Sequence, residues 1–126
     1  FIQHYPTIYQ LKRFKLQRPL KDEGNIHLFK ILSHAHFIHL LKACEFVITD
    51  GGSIQEEAYY LDKPCLLLRR YTERTEGLRE NVVICGFSQE KIDNFISNYT
   101  QFRRKSIVDS DIKPSSAILK HLFSYI

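Results

Sequence analysis

Apolar residues recur at helical intervals in TIYQLKRFKL, where Ile8, Leu11, Phe14 and the nearby Leu16 share one side. FIQHY before it reads as a strand, and QRPLKDEGN after it reads as a loop by its proline, glycine and charges. NIHLFKI is an imperfect alternation that predicts a short strand covered on both faces. Ser33 is a suitable N-cap, and the helix it opens carries Phe37, Leu40, Leu41 and Cys44 on one face. EFVIT predicts a strand, SIQEEAYYLD a helix, and PCLLL a continuously apolar strand opened by a proline. RRYTERTEGLREN is too polar for a core and reads as a loop. VVIC is a further strand, and Ser88 caps a helix whose expected buried face is Ile92, Phe95 and Ile96. YTQFRRKSIVDSDIK is a linker with room for a helical turn, and Pro114 suits the first turn of a terminal helix, PSSAILKHLFSYI. Strands separated by helices of this length imply parallel βαβ units, and so an α/β fold with a Rossmann-like parallel sheet and flanking helices.

The length, 126 residues with 44% hydrophobic content, suits one domain that buries roughly two thirds of its unfolded surface. The chain opens on Phe1 and contains no methionine, so it is expected to be a fragment. No apolar run approaches the roughly 20 residues that span a bilayer, and nothing resembles a signal peptide. A soluble protein with no membrane partner is expected. Cys44, Cys65 and Cys85 lie in or beside apolar segments, as buried, reduced and uncatalytic thiols in a cytoplasmic setting do. The formal charge of +4 is dispersed, which favours anions without selecting one, and no nucleic-acid motif accompanies it. In HAHFIH, His36 and His39 share a helix side while His34 points elsewhere. With no cysteine or acid in a ligand pattern nearby, no metal site is expected.

Candidate chemistry concentrates between two apolar runs, in VITDGGSIQEEAYYLDKPCLLL. That cluster falls at the carboxyl end of a predicted parallel strand and the amino end of the next helix, where open α/β sheets bind ligands. Gly51 and Gly52 allow backbone N–H groups to approach a phosphate, and a helix starting near Ser53 or Ile54 offers unpaired donors and a positive dipole end. The ionised carboxylates of Glu56 and Glu57 stand too far along for phosphate, but suit a ribose diol. Packing at the turn and a favourable helix dipole explain the same residues equally well on this pattern alone.

The longer string TDGGSIQEEAYYLDKPCLLLRRYTERTEGL resembles the non-hydrolysing UDP-N-acetylglucosamine 2-epimerases. There the stretch runs Thr-Asp-Ser-Gly-Gly-Ile-Gln-Glu-Glu-Ala, then Gly-Lys-Pro, then Thr-Glu-Arg-Pro-Glu-Gly. Upstream, HYPTIYQL is similar to the family's His-Pro-Arg-Thr segment and LSHAHFIHLLKACEFVITD to its nucleotide-side helix and strand; SDIKPSSAILKHL is weakly similar to its closing segment. The resemblance implies the carboxyl-terminal half of a two-domain GT-B enzyme, with residues 1–126 as a single nucleotide-binding domain. It implies Gly51, Gly52 and Ser53 as the diphosphate turn, Glu57 on the uridine ribose and Phe37 against uracil. It further implies His4 beside the diphosphate and reacting sugar as the catalytic residue on this side, and Glu73 and Arg74 in a loop facing the substrate.

The implied activity interconverts UDP-N-acetylglucosamine and UDP-N-acetylmannosamine through proton loss at C2 and reversible elimination of UDP, without metal or redox cofactor. The implied partners are a UDP-sugar and the absent amino-terminal domain, and the resemblance leaves room for a homodimer of the complete enzyme. The chain alone is expected to bind UDP without epimerising. A non-catalytic UDP-sugar-binding or remnant domain, or an epimerase of a related UDP-sugar, is the alternative. Gly51 stands where the family has serine, Ser53 where it has its second glycine, and Pro6 where it has arginine.

Overall fold

A computed structural model describes residues 1–104 and 114–124. They fall into two compact units, Phe1–Leu40 and Leu41–Ile126, the division lying within one helix. Residues 110–113, which open the weakly similar closing segment, lie outside the described residues.

In the first unit, α1 spans Tyr5–Arg13, α2 spans Gln17–Asp22, and α3 starts at His34 and runs to Ala43. The expected strands FIQHY and NIHLFKI are reduced to a single parallel bridge, Ile2 to Phe29, with Gln3 N–H donating to Phe29 O at 2.8 Å. The reason lies in Pro6. It occupies the first turn of α1, where its missing N–H costs nothing and its fixed φ suits a helix, so the chain leaves the extended conformation at Tyr5. Pro19 likewise sits in the first turn of α2, and the loop expected at QRPLKDEGN is partly a short helix. On α3, His36 N–H donates to Ser33 Oγ at 3.4 Å, as a cap should. Leu41 is buried there, whereas Leu40 is exposed, against expectation. Successive helical residues diverge by about 100°, and the buried stripe is narrower than the apolar run.

The second unit holds a parallel sheet ordered β1-β2-β3, from Val47–Thr49, Cys65–Leu67 and Val82–Ile84. Between β1 and β2 runs α4, Gly52–Tyr60; after β3 come α5, Gln89–Asn98, a 3-10 turn, Tyr99–Phe102, and α6, Pro114–Phe123. PCLLL is apolar throughout because β2 is the central strand. Cys65 and Leu67 pack with Ala58 of α4 and Val82 on one face, while Leu66 packs with Cys85 and Phe95 of α5 on the other. Each fully buried leucine contributes roughly 1.5–3 kcal/mol. Pro64 needs no ladder donor, and its carbonyl accepts from Val47 N–H at 2.9 Å. Ser88 caps α5 by accepting from Lys91 N–H. Phe95 is buried and Ile92 partly so, but Ile96 is exposed, contrary to the predicted face. Cys65 and Cys85 are buried, while Cys44 is only partly so because it lies just past the end of α3. All are free thiols. Among the described residues no helix is long and apolar enough to cross a membrane.

Candidate functional site

The turn from β1 into α4 is built by Thr49, Gly51 and Gly52. Thr49 is buried at the end of β1, and its hydroxyl oxygen accepts from Gly51 N–H at 3.0 Å. Gly51 is the N-cap at φ −87° and ψ 127°, a conformation any residue adopts. A Cβ there would sit 3.4 Å from Ile54 Cδ1 and Thr49 Oγ1, which is ordinary contact. The turn therefore tolerates a side chain at 51. Gln55 N–H makes the first intrahelical bond, to Gly51 O at 3.1 Å, so the N–H groups of Gly52, Ser53 and Ile54 have no partner from the helix ladder. The helix begins at Gly52, a residue earlier than predicted. Ser53 is exposed, and Glu57 is half-buried on the next turn.

Gly52 is different. A Cβ built on it would meet Arg74 Nε at 2.6 Å, Arg74 Cδ at 3.1 Å and Glu73 Oε1 at 3.4 Å. The loop after β2 thus returns to α4 and lays the Arg74 side chain across this glycine. Arg74 Nη1 pairs with Glu56 Oε1, and Glu73 Oε1 stands 3.7 Å from Arg74 Nε. On its other oxygen Glu73 pairs with Arg69 at 3.3 Å. A hydrogen bond from its own backbone N–H, then the charges of Arg69 and Arg74, hold the Glu73 carboxyl below the usual range.

Sequence reasoning missed the group that organises this loop. Gln55 is fully buried. Its Nε2 donates to Glu76 O at 2.9 Å and to Arg74 O at 3.3 Å, and its Oε1 accepts from the Thr72 hydroxyl at 2.9 Å. The available signal was spacing, since Gln55 lies three residues before Ala58 and so on the buried face of α4. Asn81, also fully buried, ties the end of the loop to α4 and to the turn that follows it, through Ala58 O and Lys63 O at 3.1 and 2.8 Å.

Two of the expected site residues lie in the first unit. His4 is exposed at the N-cap of α1, its side chain making no cap hydrogen bond. Phe37 is half-buried on α3. In the second unit Gly51, Gly52 and Ser53 form the turn, Glu73 and Arg74 are brought to it, and Glu57 follows on the same helix. Among the described residues no group of three His, Cys, Asp or Glu is arranged to hold a metal ion.

Parallel strands with helices on both faces, and a glycine turn where the first strand enters its helix, define a Rossmann-like domain of the GT-B class. The chain belongs to the UDP-N-acetylglucosamine 2-epimerase family, whose profile matches residues 4–114. It is 36% identical over 93 residues to the UDP-N-acetylglucosamine 2-epimerase of Methanocaldococcus jannaschii, covering 73% of this chain and 25% of that protein. With the enzyme of that name from Campylobacter jejuni it shares 43% identity over 72 residues, 54% of this chain and 19% of the relative. The solved M. jannaschii structure superposes with a TM-score of 0.85 at 29% identity, over 98% of this chain and 35% of that one. A second M. jannaschii structure, in complex with UDP-GlcNAc and UDP, aligns at a TM-score of 0.78 and 29% identity, over 96% of this chain and 34% of that one. The chain therefore spans about a fifth to a third of the length of these relatives.

Proposed function

We propose that residues 1–126 are one nucleotide-binding domain, the UDP-sugar-binding half of a two-domain UDP-N-acetylglucosamine 2-epimerase. The supporting observation is the β1–α4 turn. It presents the N–H groups of Gly52 to Ile54 with a cation, Arg74, laid beside them, which suits a diphosphate. Glu57, one turn further on, accepts from the ribose hydroxyls. Phe37 against uracil and His4 near the sugar rest on the family resemblance alone. The likeness to a relative solved with UDP-GlcNAc and UDP favours the same ligand class here.

In this reading the remaining carboxylates for proton transfer at C2 come from an amino-terminal domain, and the complete protein works in the cytoplasm. An acid and a base must flank the sugar in a water-excluding cleft, so this chain binds UDP but does not epimerise by itself. Incubation with UDP-N-acetylglucosamine in heavy water will leave C2 unlabelled by NMR; deuterium incorporation abolished by His4→Ala would place the chemistry in this half.

Calorimetry with UDP is the direct test. Glu57→Gln weakens two charge-assisted hydrogen bonds and is expected to cost on the order of 1–3 kcal/mol of binding. Equal affinity in parent and variant would remove Glu57 from the site.

A further inference from the structure

We propose that Gln55 is the positioning residue of the nucleotide turn: its buried carboxamide sets the loop 72–76 so that Arg74 lies over Gly52 and meets the ligand's anionic group. This rests on the nucleotide reading above.

Gln55 grips the main chain of the loop. Both of its N–H groups end on backbone carbonyls, Arg74 O and Glu76 O. Its carbonyl takes the Thr72 hydroxyl, whose oxygen in turn accepts from Arg74 N–H at 3.2 Å. Arg74 is thus fixed on both sides of its Cα, before its side chain makes any contact. That side chain then crosses Gly52 and is held at its tip by Glu56. A cation at a helix amino terminus opposes the helix dipole, so the position is electrostatically poor unless acids offset it. Glu56 and Glu73 do so.

One buried donor of Arg74 is left over. Arg74 Nε is buried and has no hydrogen-bond partner among the described residues, with Glu73 Oε1 3.7 Å away. An oxygen of a bound phosphate would take that donor together with the N–H groups of the first turn, and its negative charge would offset the dipole's repulsion of Arg74. Gln55 itself, enclosed beneath the loop, acts through Arg74.

The test has two arms on the 126-residue chain. Without nucleotide, the Arg74 Nε–H resonance is followed by NMR. It is expected to be shifted and protected in the parent, and to move to the position of an exposed arginine in Gln55→Ala and Thr72→Val. Thr72→Val keeps the test decisive if the cavity left by Gln55→Ala unfolds the chain. An unchanged resonance in a folded variant overturns the proposal.

With UDP, calorimetry across a salt series is expected to show about ten-fold weaker binding for Arg74→Gln, the scale of one charge-assisted hydrogen bond. Gln55→Ala should show a similar loss and the same shallower salt dependence, with no further loss in the double variant. Losses that multiply in the double variant, or a parental salt slope in Gln55→Ala, overturn the positioning role. A parent that binds no UDP refutes the nucleotide reading instead, and the resonance arm still decides whether Gln55 places Arg74.

Discussion

Replacing Gly52 by alanine separates two reasons for a glycine at this turn. The added Cβ would stand 2.6 Å from Arg74 Nε, closer than real contacts allow, and a tight 3.1 Å from Arg74 Cδ, so the Arg74 side chain must move aside. It is able to do so, because these atoms belong to a flexible side chain about one third exposed. The stability terms are small and opposed. Alanine gains at most about 1 kcal/mol of helix propensity over glycine, while the displaced Glu56–Arg74 pair, partly exposed on both sides, was worth ~0–1 kcal/mol. Folding stability is therefore expected to stay within ~1 kcal/mol of the parent. Binding has no such compensation, since the methyl group crowds the first-turn N–H groups and the cation is gone. UDP affinity is expected to fall at least about ten-fold. Urea denaturation followed by circular dichroism, and calorimetry on the same sample, measure the two quantities. A loss of stability beyond ~2 kcal/mol would show that Arg74 cannot move aside. Parental UDP affinity in a stable variant would refute the assignment of this turn to the anion.

Gly77→Ala should behave in the opposite way. Gly77 sits at φ +74°, and a Cβ would fall 2.5 Å from Val82 Cγ2 and 2.6 Å from Asn81 Oδ1, so left-handed strain of about 1–2 kcal/mol adds to overpacking of about 1–3 kcal/mol, read as a lower denaturation midpoint. Burial pushes the Cys65 thiol up to about 12, while the unfolded thiol ionises near about 8.5. The folded state thus holds the proton longer, and Cys65 contributes stability that is intact below about pH 8.5 and lost as pH rises towards 12. Comparing denaturation of the parent with Cys65→Ala at pH 8 and pH 10 isolates this loss, and parallel declines in the two proteins would contradict it.

Much of the second unit was legible from pattern alone. A short uninterrupted apolar run behind a proline reads as a strand covered on both faces, because it is too short for a helix, and β2 is one. Ser88 before a periodic segment is a local signal, because a cap depends on residues three apart. The first unit read less well, since whether FIQHY and NIHLFKI extend their pairing depends on where Pro6 starts a helix and on how long the parallel contact can run. Leu40 and Ile96 look like core in sequence because hydrophobicity is local. Burial depends on which of two neighbouring positions, about 100° apart, the fold turns inward.

At the site, the string from Thr49 to Ala58 carried the family and the turn, because a strand, a glycine pair and a helix start are contiguous in the chain. Only the tertiary structure brought Arg74 across Gly52 and buried Gln55 beneath the loop. Those contacts join residues separated by 17 to 22 positions, and neither periodicity nor propensity reports the return path of a polar loop. The physical reason is hydrogen-bond satisfaction. A buried carboxamide must find partners for its donors and its acceptor, and which backbone groups supply them is decided only once β2 has set where the loop begins and Asn81 where it ends.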